Sequence, residues 1–273
     1  MERFVQAADD GDATLFLSPL RPHSIGHTHR MDTSEHIHTL EAEGRLLAVA
    51  AEEAGPDAKV PTCPGWEVRD LLRHTGMVHR WAATFVAEGH TSYHPDGGLP
   101  DLDGGELLAW FRAGHRALVE TLATAPPDVA CWSFLPALSP LAFWARRQAH
   151  ETAVHRVDAE SARGGKPETI GTDFAVDGID ELLCGFHARP RSKVRTEEPR
   201  VLRVRATDTD AVWTVRISAD PPVTERDDAG EADCEVSGPA ARLYLSLWNR
   251  LPFPRATGDS SLTALWREKS GVT

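Results

Sequence analysis

In the segment Arg146-Arg-Gln-Ala-His-Glu-Thr-Ala-Val-His-Arg-Val-Asp158, the carboxylate of Glu151 and the imidazole of His155 stand four residues apart. On an α-helix that spacing places both side chains on one face, one turn above the other. At about 100° per residue the same face carries Leu141 and Trp144, so it is a packing face. A helix that buries two ionisable groups needs partners for them, because unpaired polar groups are costly in a low-dielectric interior. A divalent cation meets that need for both groups at once. The pattern therefore predicts a helical domain packed around a metal site.

At 273 residues the chain has room for two modest domains or one large one. Its formal net charge of −12 argues against a nucleic-acid backbone or an anionic membrane surface as partner. Cys63, Cys131, Cys184 and Cys234 lie far apart with no C-x-x-C pair. That is the pattern of reduced intracellular thiols rather than of a disulfide framework or a cysteine zinc site. No apolar run reaches the roughly 18–20 residues of a membrane span. The N-terminus lacks a basic-then-apolar leader, and the expected location is the cytoplasm, as a monomer or homodimer.

Residues 1–30 read as a variable arm. His23, His27, His29, His36 and His38 crowd this region, either as solvated histidines on a loose segment or as a second metal site. Helical periodicity then runs over about 34–54, and Gly55-Pro56 stops it. The turn Val60-Pro-Thr-Cys-Pro-Gly-Trp66 launches a second helix through Phe85, and a third covers about 105–124. The fourth starts with Ser139 as N-cap and Pro140 at its first position, runs to about Ala162 and closes at Gly164-Gly165. Four such helices pack most simply as an antiparallel bundle. Beyond residue 168 the texture is α+β: a helix over Phe174–His187, strands at 200–205, 211–217 and 232–236, a helix from Gly238-Pro239 through Trp248, and a last one over Asp259–Lys269. The expected organisation is an arm at 1–30, a bundle at 31–168 and a small α+β unit at 169–273.

A catalytic zinc site normally takes a third protein ligand and keeps a position open. The second helix offers His74 and His79. A helical wheel puts His79 within the apolar face and His74 at its edge, which leans toward His79; an ordinary buried histidine is the competing reading for either. Val60-Pro-Thr-Cys-Pro-Gly-Trp-Glu-Val-Arg-Asp-Leu-Leu-Arg-His-Thr-Gly76 resembles the opening motif of the mycothiol-dependent maleylpyruvate isomerase family. The Arg-Gln-Ala-His-Glu-Thr-Ala-Val-His-Arg-Val-Asp-Ala-Glu160 segment resembles the second motif of that family, and Ala232–Pro252 with Thr257-Gly-Asp259 is similar to its C-terminal part. The resemblance implies a DinB-like bundle followed by a sterol-carrier-like α/β domain. It also implies metal ligands at His74, Glu151 and His155, and mycothiol as an external thiol.

On that reading the metal, zinc by its donor set, activates a thiol that attacks a small electrophile; cis–trans isomerisation proceeds by addition and elimination. The substrate carboxylates require cationic partners. Arg146, Arg147 and Arg156 flank the metal helix, and Arg250 is the candidate from the second domain. His150 points about 100° away from Glu151 and reads as a supporting or structural residue. Asp158 reads either as an acceptor orienting a ligand histidine or as a solvated carboxylate, Cys63 as a small buried thiol, and Trp144 as an aromatic in the metal-facing sector. Two other functions remain open on the residues: thiol S-transferase, and a non-catalytic carrier with Leu243, Leu245, Leu247 and Trp248 lining an apolar cavity.

Overall fold

The structure, a computed structural model, describes residues 30–165 and 167–272. Four long helices come first: α1 (Thr33–Ala54), α2 (Val68–Glu88), α3 (Gly104–Thr124) and α4 (Pro140–Arg163). Their ends follow local chemistry. Asp32 and Glu35 close a reciprocal capping box on α1, with side-chain-to-backbone bonds of 2.9 and 2.8 Å. Ser139 Oγ accepts from Ala142 N–H at 3.1 Å, and Gly164, at φ 82°, ends α4. Between α1 and α2 the chain folds into a tight turn. Val60 N–H donates to Trp66 C=O, and Trp66 N–H to Cys63 C=O, both at 3.0 Å. That turn aims Thr62, Cys63 and Trp66 at α4.

The second half consists of α5 (Thr172–Asp180), a π-helical turn at Glu181–Phe186, and a five-stranded sheet with two further helices. Its strands are β1 (Arg200–Ala206), β2 (Val212–Ile217), β3 (Val223–Glu225), β4 (Cys234–Gly238) and β5 (Arg255–Gly258). They lie in the order β3-β2-β1-β4-β5; β1 and β4 run parallel and the other pairs antiparallel. Helix α6 (Ala240–Leu247) follows β4 and α7 (Ser260–Lys269) follows β5. Edge strands β3 and β5 carry no periodic apolar signal, and β5 is exposed along its length. Their absence from the sequence reading has that cause. The expected fold class, a helical bundle followed by a small α/β unit, is what the structure has. None of the described helices is long and apolar enough to cross a membrane.

Helix α4 departs from the expected one-sided burial: every residue from Arg147 to Glu160 is buried. It packs on α1 and α2 within the bundle, and residues of the second half cover its remaining face. A single apolar cluster runs from Leu40, Phe85 and Trp144 through Phe174 and Leu183 to Val204 and Leu243. The charged residues on all sides of α4 therefore need partners. Arg156 is fully buried and bonds Glu43 and Glu160, each at 2.6 Å. His150 Nε2 bonds Asp177 Oδ1 at 2.8 Å and its Nδ1 meets Tyr244 Oη at 3.1 Å, which makes it structural.

The histidine-rich N-terminal stretch needs correction at one position. His23, His27 and His29 lie outside the described residues, and His38 is exposed. His36, read as a solvated histidine on a loose segment, is instead buried in α1 and reaches Asp177 Oδ1 at 3.1 Å. His36, His150 and Asp177 have metal-ligand spacing. However, the Arg146 guanidinium lies 2.7 Å from the same Asp177 oxygen and supplies the positive charge there.

Candidate metal centre

Three side chains converge where α2 meets α4. Glu151 Oε1 lies 3.3 Å from His74 Nε2 and 3.2 Å from His155 Nε2, and all three residues are buried. Separations near 3.3 Å are the edges of a tetrahedron with bonds of roughly 2.0 Å, the length typical of zinc–nitrogen and zinc–oxygen bonds. The protonation pattern fits a cation as well. His155 Nδ1 lies 2.8 Å from Asp158 Oδ2, a carboxylate that only accepts, so that nitrogen carries the proton. Neutral His155 then turns a lone pair on Nε2 toward a carboxylate oxygen, which is repulsive unless a cation sits between them. Burial pushes His155 down, but Asp158 and Glu151 outweigh it and raise it to about 9. Burial likewise pushes Glu151 up, while hydrogen bonds with His155 and His74 hold it well below the usual carboxylate range. The cluster binds positive charge, as a proton or as a metal ion.

Asp158 is fully buried, which overturns its reading as a solvated carboxylate. Besides His155 it accepts from Arg250 Nε at 3.0 Å and Nη2 at 2.8 Å, and from Thr62 Oγ1 at 2.6 Å. Burial opposes its ionisation, but Arg250 and His155 more than offset that and keep the carboxyl far below its ordinary range. Through this one residue the arginine of the second half is tied to a histidine of the bundle. Cys63 Sγ joins the same group, 3.3 Å from Asp158 and 3.6 Å from Arg250. Burial and the Asp158 charge push its thiol up to about 12, so it stays protonated near neutral pH.

A cavity of about 160 Å³ opens beside the cluster, lined by Arg147, Glu151, Val154, His155, Trp248 and Arg250 on one part of its wall. Asn249 and the tail Ser270–Val272 complete it. Arg147 donates to Glu151 Oε2 at 3.3 Å and pairs with Glu181 of the π-helical turn. Trp66 stacks along His155, with ring centroids 6.2 Å apart, and meets His74 edge-on at 5.2 Å.

Four sequence readings change. His79, which the wheel leaned toward, is a core histidine bonded to Thr152 Oγ1 at 2.9 Å and packed on Phe111 and His115. Trp144 shares the angular sector of Glu151 but lies two turns away, in an aromatic cluster with Trp81, Phe85 and Phe143. Of the flanking arginines, Arg146 and Arg156 are committed to Asp177 and to Glu43 and Glu160, which leaves Arg147 at the cavity. Leu243, Leu245 and Leu247 are buried in the shared core, and Trp248 is the member of that set that reaches the cavity. Thr62, Trp66 and the tail were not anticipated. The launching turn before α2 was a visible signal for the first two; nothing in the pattern marked the tail.

A helical bundle that presents a buried His-Glu-His cluster to an arginine from an appended α/β unit defines the class of protein. Residues 37–160 match the sequence model of the mycothiol maleylpyruvate isomerase N-terminal domain, and residues 173–266 match that of the C-terminal domain of the same proteins. The chain belongs to the mycothiol-dependent maleylpyruvate isomerase family, a family of enzymes. Among solved structures it is similar to the mycothiol-dependent maleylpyruvate isomerase, with a TM-score of 0.59 and 14% identity over 85% of this chain and 96% of that one. A histidine-to-alanine mutant of that isomerase gives a TM-score of 0.56 and 14% identity over 81% and 90%. At that identity the likeness establishes the fold. No curated protein matches the chain by sequence.

Proposed function

We propose that this chain is a metal- and mycothiol-dependent enzyme that isomerises a small electrophilic substrate across a cis double bond. His74, Glu151 and His155 are the metal ligands and Arg250 is the catalytic cation. The observation that carries this reading is the cavity itself, which Glu151 and His155 share with Arg250. A divalent cation bound there, zinc by the nitrogen and carboxylate donor set, would hold an external thiol as its thiolate near neutral pH.

The chain's own residues do the rest. Asp158 fixes the tautomer and orientation of His155. It also holds the Arg250 guanidinium at the cavity, where it faces the substrate oxygen that gains charge. The external sulfur adds to one carbon of a cis double bond conjugated to a carbonyl, and the π electrons move onto the carbonyl oxygen. The former double bond turns as a single bond; the electrons then return and expel the sulfur, leaving the trans product. Substrate and product are isomers and the thiol is regenerated, so only charge placement and water exclusion are required of the protein. The two family matches, which end at 160 and begin at 173, support a division of the chain near residue 168.

The test is to incubate metal-loaded protein with mycothiol and a panel of cis-unsaturated carboxylates. Release of trans product with full recovery of free thiol is the expected result. A persisting S-conjugate assigns the site to a thiol S-transferase instead, and no thiol-dependent change in any substrate overturns the enzymatic reading.

A further inference from the structure

Arg250 owes its place to an unusual residue before it. Among the described residues Asn249 is the one non-glycine at positive φ, 61°. Left-handed backbone is strained for most L-residues and is tolerated by asparagine and glycine. The strain ends helix α6. Asn249 N–H donates to Ser246 C=O at 3.0 Å and Arg250 N–H reaches back to Leu245 C=O at 2.8 Å. These are the paired bonds of a Schellman turn, with Asn249 as the left-handed residue and Arg250 following it. The position after the left-handed residue often carries an apolar side chain folded back on the helix. Here it carries the guanidinium bonded to Asp158.

The Asn249 side chain has a separate job. Its amide donates to Ser270 Oγ at 3.0 Å and to Arg267 C=O at 3.3 Å, which ties α6 to the end of α7. Ser270 is buried, and with Gly271 and Val272 it forms one wall of the cavity. No other side-chain hydrogen bond to Ser270 is present among the described residues, and its backbone N–H continues α7 by bonding Trp266 C=O at 2.9 Å.

The geometry points to Asn249 as a positioning residue with two separable actions: its backbone turn aims Arg250 at Asp158, and its amide holds the Ser270–Val272 tail as a substrate-facing wall. The first action serves catalysis and the second serves binding, so the two come apart in different variants. The inference rests on the proposed function only for its kinetic arm.

Three variants test it: Asn249→Gly, which keeps the turn and removes the amide; Asn249→Val, whose β-branched side chain resists the turn; and Ser270→Ala, which removes the amide's partner. Two readouts need no turnover. Phenylglyoxal labelling of Arg250, followed by peptide mass spectrometry, reports the arginine; amide hydrogen exchange across residues 267–272 reports the tail. Asn249→Gly and Ser270→Ala should speed tail exchange while Arg250 stays as protected as in the unaltered protein. Asn249→Val should expose Arg250 as well. In the thiol-dependent assay the first two raise KM by roughly three- to tenfold, the scale of one lost hydrogen bond, with kcat held, and combining them adds nothing further. Asn249→Val lowers kcat. Unchanged tail exchange in Asn249→Gly and Ser270→Ala, or a folded Asn249→Val with Arg250 still protected, overturns the inference. If no substrate turns over in the unaltered protein, the proposed function fails, and labelling and exchange still decide the role of Asn249.

Discussion

Replacing Asp158 with asparagine keeps the shape of the side chain and removes one negative charge from the point where the two halves meet. The carboxylate accepts from His155, Arg250, Thr62 and Cys63 and is fully buried, and among the described residues it is the one carboxylate in ion-pair contact with the arginine. Breaking a buried ion pair from one side costs about 3–5 kcal/mol. The Arg250 side chain retains 16% exposure, and water then offsets part of the penalty, which favours the lower end of about 3 kcal/mol. For a chain of this size that is a fall in Tm of roughly 6–12 °C. The loss depends on pH in a defined direction. Burial alone would raise the Asp158 pKa, but Arg250 and His155 depress it below its unfolded value. Its stabilisation is therefore complete above the unfolded pKa of about 3.9 and fades as pH falls below it. The gap in Tm between the two proteins should be full at pH 6–7 and narrow toward pH 3. Because Asp158 also orients His155, metal affinity should fall by about 10–100-fold in a chelator competition. A variant that melts within about 1 °C of the unaltered protein at pH 7 and holds metal equally well would refute the argument.

Other outcomes follow from the same geometry. Elemental analysis should find the metal of the purified protein lost in His74→Ala and Glu151→Ala but kept in His79→Ala; equal content in all three would remove the ligand assignment. Gly178→Ala should destabilise by about 1–3 kcal/mol in urea melts, because a Cβ there would lie 2.3 Å from the Tyr244 ring and 2.8 Å from the His150 ring. Gly114→Ala meets the Arg80 guanidinium, which could give way only by leaving the Gly76 and Trp110 carbonyls and the Trp110 ring, and should also destabilise in the same melts. His79 is buried and held well below its ordinary pKa by burial and by His115. Protons therefore bind the unfolded chain first, and the His79 contribution to stability declines as pH drops below the unfolded value of about 6.5. His79→Gln should flatten that slope in thermal melts between pH 7 and 5, and an unchanged slope would exclude His79 as its source.

The spacing of Glu151 and His155 was sufficient to predict a buried helix and paired ionisable groups, because a four-residue interval and a 3.6-residue turn leave little freedom. The cap at Ser139 and the glycine stop at Gly164 were local chemistry, readable residue by residue, whereas the Asp32–Glu35 capping box emerged with the structure. Periodicity gave all four bundle helices, the three longer strands β1, β2 and β4, and helix α6, whose C-terminal turn presents Arg250. Strands β3 and β5 were invisible because short exposed edges have no apolar alternation to reveal them.

What local pattern could not decide was which buried histidine meets Glu151. His74 and His79 share one apolar helix, and a wheel gives angle but neither height along the axis nor the identity of the facing helix. Trp144 illustrates the same limit: its angle and its two-turn offset from Glu151 are legible in the sequence, but its packing against Trp81, Phe85 and Phe143 is not. The enclosure of α4 on every side likewise arises only when the second half docks, turning His150 and Asp158 from surface-compatible residues into members of buried networks. The cavity belongs to that same level, since its walls come from α4, the turn after α6 and the tail after α7. Helices, caps and turns are set by interactions within a few residues of chain, whereas the shared core and the Asp158–Arg250 bond join positions 92 residues apart and exist only once the chain is folded.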